Sequence, residues 1–243
     1  MNPIQPSMFH LPERKRDMNR SIPLLILLAG TLAASPAVGA ELIEVSPGVM
    51  AADLLSRRTA EYDYDVPAAG TYELPVLQPA ANGTVLGTNG EPVRLHDLMR
   101  GRVVVLSFIY SRCGDPTACM RATGALHELQ RISRQHPELA DQLLLISLSF
   151  DPAHDTPGVM ARYGRIALGQ GKGAEWQFLT TRDQADLQPL LEAYGQRVDE
   201  RKSPGTMGPY QHPLRVYLID QRRQVRNIYS FGLLDPRLVA TDA

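Results

Sequence analysis

Cysteine is nearly missing from this chain: its 243 residues carry two, Cys113 and Cys119. A dense disulfide framework standing in for a hydrophobic core is therefore excluded. Charge of one sign is lacking as well. The net charge is −1, so no broad basic face for nucleic acid is implied. Long apolar runs are also absent: the stretch from Ile22 to Ala34 contains Pro23 and falls short of the roughly 18 residues that a membrane-spanning helix needs. What remains is an ordinary globular composition, 44% hydrophobic and 21% charged, with length enough for one good-sized domain plus a leader, or for two small domains.

The N-terminus reads as the leader. Arg14, Lys15, Arg16 and Arg20 precede the Ile22–Ala34 run, and Val38 and Ala40 supply small residues at an exit site. A positive segment, an apolar core and a small-residue exit form a secretory signal over residues 1–40. Met18 would give a leader of more usual length as the start. The expected product is exported, to a periplasm or the outer face of the cytoplasmic membrane, with membrane attachment only through an uncleaved leader. No cysteine lies near the exit, which argues against lipid anchoring. Removing residues 1–40 takes away four basic and two acidic residues and leaves a mildly acidic chain.

Residues 41–70 read as an arm or linker, with a weak helical pattern at Met50–Leu55 and an acidic, tyrosine-rich segment ending in proline and glycine. Tyr72–Leu77 is predicted as an edge strand, Gly83–Pro92 as turn-rich, and Val93–Met99 as a short helix or turn. Val103–Tyr110 and Leu143–Phe150 are continuous apolar runs, the mark of strands buried on both faces. The helix predicted between them makes a βαβ unit with parallel strands. Asp155 or Thr156 as N-cap, with Pro157 at the first helical position, starts a helix to about Ile166. Gly169–Gly173 is a loop and no phosphate cradle, since it does not join a strand to a helix start. Glu175–Leu179 is a strand and Asp183–Tyr194 a helix containing Pro189. Ser203–Pro213 is a loop, and Leu214–Ile219 with Val225–Phe231 forms an antiparallel hairpin. The remainder, 237–243, is a tail or final half-turn. The pattern is one α/β domain with a mixed sheet over residues 71–236.

Both thiols fall in the turn after the first buried strand. Six positions apart on one helix they would diverge, because each residue turns the helix by about 100°. Gly114, Asp115 and Pro116 break the interval: Asp115 suits an N-cap and Pro116 the first helical position. Cys113 then lies in the loop and Cys119 in the first helical turn, within disulfide or shared-metal reach. A structural disulfide, a redox-active dithiol and a two-thiolate metal site all remain open. A metal needs a third donor, and His212, in a Pro/Gly-rich loop just before a strand, is the best candidate; the residues leave open whether it is ligand or bystander. His10 belongs to the leader, and His96, His127, His136 and His154 read as surface residues. Two soft sulfurs with one imidazole suit Cu(I) and can hold Cu(II), whereas zinc would want a fourth ligand or water.

The segments Val104–Cys113 leading to Cys119, Ser149–Pro157, Trp176–Leu179, Ala193–Gly195, and His212 before Val216–Asp220 together resemble the Sco/SenC family over about Thr71 to Leu234. The resemblance implies a thioredoxin-like fold: a central mixed β-sheet flanked by helices, with an added N-terminal hairpin region. It further implies copper held by Cys113, Cys119 and His212, and a metallochaperone that delivers it to a copper-accepting protein such as a cytochrome oxidase subunit. Two departures stand out. Five residues separate the cysteines where the family usually has three, with Met120 in place of proline after the second. Gln211 precedes the histidine where the family often has aspartate. The longer segment keeps a second function in play: a thiol–disulfide oxidoreductase in which Cys113 attacks, Cys119 resolves and a thiol reductant restores the pair. A structural disulfide in a non-catalytic interaction domain is the third reading. A peroxiredoxin is disfavoured, because the proline and threonine expected before its peroxidatic cysteine are missing.

Overall fold

The computed structural model describes residues 62–168, 173–203 and 205–243. The leader, the helical pattern at 50–55 and most of the glycine-rich loop at 169–173 lie outside the described residues.

Strand β1 is Gln78–Pro79, followed by a hairpin of β2, Thr84–Leu86, and β3, Pro92–Arg94, and by the short helix α1, Leu95–Leu98. The edge strand thus begins six residues later than the sequence pattern predicts. The reason is a long-range competitor: the Arg226 guanidinium takes the carbonyls of Leu74 and Pro75, which a strand partner would otherwise use. Only Leu77 N–H, bonded to the Val225 carbonyl, joins β1 from that stretch.

Strand β4 is Val103–Ile109, buried from Val104 onward, and leads through the cysteine turn to helix α2, Cys119–Ser133. Helix α3, Pro137–Gln142, connects to β5, Leu143–Ser149, buried at every position. β4 and β5 pair in parallel, residue against residue, from Val103↔Leu143 to Ile109↔Ser149, as the βαβ pattern requires. Helix α4, Pro157–Ala167, starts with Pro157 in its first turn behind Thr156, where its missing N–H costs nothing. It returns to β6, Glu175–Leu179, parallel to β5. Helix α5, Gln184–Ala193, is capped by Asp183, whose carboxylate accepts from Asp186 N–H. Pro189 lies in its interior rather than its first turn.

The proline-rich loop has more order than predicted. It carries the two-residue strands β7, Asp199–Glu200, and β8, Tyr210–Gln211, paired antiparallel, with a 3₁₀ turn at Gly205–Met207 between them. Strands β9, Val216–Ile219, and β10, Gln224–Tyr229, form the predicted hairpin. Its turn is closed by the Asp220 carboxylate, which accepts from Arg222 and Gln224 N–H. The segment read as a tail is helix α6, Pro236–Asp242, with Val239 fully buried.

The main sheet has the order β1-β10-β9-β4-β5-β6, with β4 central between antiparallel β9 and parallel β5. This mixed sheet with flanking helices, and the β2–β3 hairpin added ahead of it, is the thioredoxin-like architecture the resemblance implies. Its consequence for chemistry is positional: the chain leaves the centre of the sheet at Ile109, and both cysteines follow within ten residues.

Candidate metal centre

The turn after β4 is held from below. Asp155 is completely buried, and its carboxylate accepts from Ser111 N–H, the Ser111 hydroxyl and the Ser149 hydroxyl. Beside it, Arg112 pairs with buried Asp151 at 2.6 Å. Cys113 N–H then bonds the Tyr110 carbonyl at 3.3 Å, closing the turn that presents Cys113, half-buried, at the surface.

Helix α2 does not begin where the sequence pattern predicts. The Asp115 carboxylate is engaged by Thr117 N–H and the Thr117 hydroxyl, and Ala118 N–H bonds the Asp115 carbonyl, which makes a separate turn. Ala118 then departs from helical geometry at φ −116° and ψ −106°, and the helix starts at Cys119. The predicted outcome of the break survives the shift: Cys119 sits in the first helical turn and Cys113 in the loop. Cys119 is buried, and both cysteines are free thiols.

His212 arrives from the segment after β8. Its Nε2 stands 3.3 Å from Cys119 Sγ, and the donor atoms of Cys113, Cys119 and His212 all lie within 4.8 Å of one another. No other group of three potential ligands comes this close among the described residues. The ring is wedged edge-on against Phe150, with centroids 4.8 Å apart, and Nδ1 lies 3.2 Å from the Pro213 carbonyl. A carbonyl can only accept, so Nδ1 carries a proton; the doubly protonated ring also donates from Nε2 to Cys113, and the neutral ring leaves the Nε2 lone pair facing the sulfurs. That is the tautomer a metal ligand needs. Of the other histidines, His96 bonds the Ala80 carbonyl and His136 meets Glu138, while His10 lies outside the described residues.

The two thiols are electrostatically unlike. A hydrogen bond from the Cys119 thiol, opposed by burial and assisted by His212 and backbone donors, brings Cys113 down to about 4. Burial pushes Cys119 well up, and the neighbouring Cys113 thiolate adds to it. The two shifts run in opposite directions, favouring the charge on Cys113 and the proton on Cys119. The set offers one ready thiolate, a second sulfur that loses its proton when a cation compensates it, and one imidazole nitrogen.

Two site residues escaped the sequence reading. Asp155 was an N-cap candidate; Thr156 occupies that place without a side-chain bond, and Asp155 reaches back to Ser111 instead. Tyr110, read only as the end of an apolar strand, touches the segments that carry all three donors. A buried acid behind an apolar strand was the available signal for the first, but its target becomes visible only once β4 and β5 lie side by side.

Set against known proteins, a family model described as SCO1/SenC matches residues 83–242. No curated protein sequence matches the chain significantly. Among solved structures, a SCO1/SenC family lipoprotein from Bacillus anthracis aligns with a TM-score of 0.54 at 24% identity, over 65% of this chain and 88% of its own. ScoI from Bradyrhizobium japonicum, solved with copper bound, aligns with a TM-score of 0.55 at 19% identity, over 68% and 96%. BsSco, described as a member of the Sco family of cytochrome c oxidase assembly proteins with a disulfide switch, aligns at 0.51 and 20%, over 68% and 90%. At these identities the structures speak to the fold alone.

Proposed function

The chain belongs to the SCO1/SenC family, and on that premise we propose that it takes up copper through Cys113, Cys119 and His212 and hands it to a copper-accepting protein such as a cytochrome oxidase subunit. The observation that carries this reading is the approach of His212 Nε2 to 3.3 Å from Cys119 Sγ, across 93 positions of sequence. Two sulfurs and one nitrogen in a half-buried cluster match the soft, low-coordinate preference of Cu(I) and can also accept Cu(II). A three-donor site leaves room for an incoming thiolate, so the cargo can leave by ligand exchange. Within that family, the Bradyrhizobium japonicum protein is solved with copper bound and BsSco is described among the cytochrome c oxidase assembly proteins, the cargo and acceptor class proposed for this chain. Export rests on the leader pattern at residues 1–40; among the described residues no helix is long and apolar enough to cross a membrane.

The asymmetry of the thiols favours a second reading, reduction of a partner's disulfide. The Cys113 thiolate would attack one partner sulfur, releasing the other as a thiolate and leaving a mixed disulfide. Cys119 would then give up its proton and attack Cys113 Sγ, forming the Cys113–Cys119 bond and freeing the reduced partner. The two electrons come from this chain's thiols, and an external thiol reductant restores them.

One titration separates the readings. Reduced protein binds one copper per chain with sulfur-to-copper charge-transfer absorption, oxidised protein binds little, and Cys113→Ala/Cys119→Ala binds none. His212→Ala weakens copper binding but leaves dithiol exchange intact. Undiminished copper uptake by the double cysteine variant would sink the metal reading. Full thiol exchange with no copper uptake by the wild type would leave the reductase.

A further inference from the structure

The loop that delivers His212 has little of its own to hold it. Its ladder, β7 with β8, is two rungs long and separate from the main sheet. Pro209 and Pro213 lack backbone donors. What fastens the loop to the sheet is the first residue beyond β4. Tyr110 is 1% exposed, and its hydroxyl stands 3.1 Å from the Met207 carbonyl and 3.1 Å from the Tyr210 carbonyl, on the two sides of the bend that precedes His212. Its ring meets Tyr210 edge-on at 5.5 Å and His212 at 6.3 Å, and packs on Phe150, the ring that backs the imidazole. The seam beside it is closed backbone to backbone. A Cβ at Gly208, where φ is +85°, would stand 2.5 Å from the Tyr110 hydroxyl and 2.6 Å from the Arg112 carbonyl. A Cβ at Gly114 would fall 1.8 Å from the Thr206 carbonyl.

We propose that Tyr110 is the positioning residue of the site: by tethering the 205–212 loop through its hydroxyl, it keeps the His212 imidazole over the two sulfurs. The inference rests on the copper reading for what the imidazole does there, while the tether itself belongs to the metal-free protein. Both tethered carbonyls have other donors, Gly114 N–H for Met207 at 3.4 Å and the Arg201 guanidinium for Tyr210 at 2.8 Å. Removing the hydroxyl therefore orphans neither of them; it also takes a hydrogen-bonding neighbour from Cys113, so loop exchange in the copper-free protein is the readout that belongs to the tether alone.

Tyr110→Phe tests this, with Gly114→Ala as an independent way of displacing the same loop. In reduced, metal-free Tyr110→Phe, amide hydrogen exchange over residues 205–212 speeds up about tenfold, while that of β4 and β5 is unchanged. With Cu(II), the imidazole nitrogen coupling in the electron paramagnetic resonance spectrum weakens and affinity falls about tenfold. Adding His212→Ala to Tyr110→Phe then causes no further loss beyond that of His212→Ala alone, since both remove one ligand. Wild-type exchange and a wild-type copper spectrum in Tyr110→Phe, or losses that simply add, would overturn the proposal. If the wild type takes up no copper, the proposed function fails, and loop exchange in the metal-free variants still decides whether Tyr110 is the tether.

Discussion

At the residue scale, one turn treats two identical thiols in opposite ways. Cys113 stands in the loop with donors around it; Cys119 is sealed under the start of α2. The sequence brings both thiols to this turn, but it cannot say which sulfur holds a charge, because that depends on which one the fold buries. The consequence is measurable. In the reduced, metal-free protein the alkylation rate of Cys113 stays on its plateau through neutral pH and falls only as pH drops through about 4, where the thiolate is protonated. In Cys119→Ala the midpoint moves up toward ordinary thiol values, because the strongest single donor to Cys113 has gone. A midpoint unmoved by that substitution would show that Cys119 does not hold the Cys113 charge.

At the scale of elements, the cysteine turn is a product of two neighbouring strands. β4 and β5 were legible as apolar runs, and α4 as a proline behind a threonine, since those signals are local. Asp155 shows the limit. From its position it suited a cap; in the folded sheet it lies beneath the end of the adjacent strand and holds Ser111, two residues before Cys113. Asp155→Ala strips the Ser111 N–H, the half-buried Ser111 hydroxyl and the buried Ser149 hydroxyl of their acceptor. We expect a loss of about 2–4 kcal/mol in urea unfolding, with the slope of the transition unchanged. A loss within about 0.5 kcal/mol, as for an ordinary surface change, would mean the carboxylate does not hold the turn.

For the molecule as a whole, both ends of the described chain close on the helix that begins at Cys119. Helix α6 packs against α2, and the last residues of the acidic arm cover α6 in turn. The Tyr62 hydroxyl donates to the Leu234 carbonyl at 2.8 Å, and that of Tyr64 to the Asp235 carboxylate at 2.7 Å. Arg237, paired with Asp235, lies over both rings. A seven-residue helix has no stability of its own in water, so α6 owes its existence to burial against α2. Val239→Ala, at a fully buried position, lowers global stability by about 1–3 kcal/mol in thermal or denaturant unfolding. No measurable change would show that α6 is not part of the cooperative unit.

By itself the sequence determined the chemistry available and the frame around it. Two thiols after a buried strand, one histidine in a proline-rich loop and a βαβ unit all follow from period, composition and turn residues that act within a few positions. The tertiary structure alone decided which groups meet. That the helix starts at Cys119 depends on what occupies the Asp115 carboxylate, and the edge strand begins at Gln78 because an arginine from β10 claims the carbonyls before it. The joining of His212 to the sulfurs follows from the antiparallel return of β9 beside β4 and from the Tyr110 contacts across the loop. Such contacts close over nearly a hundred residues, and no local pattern in either segment encodes the partner at the other end.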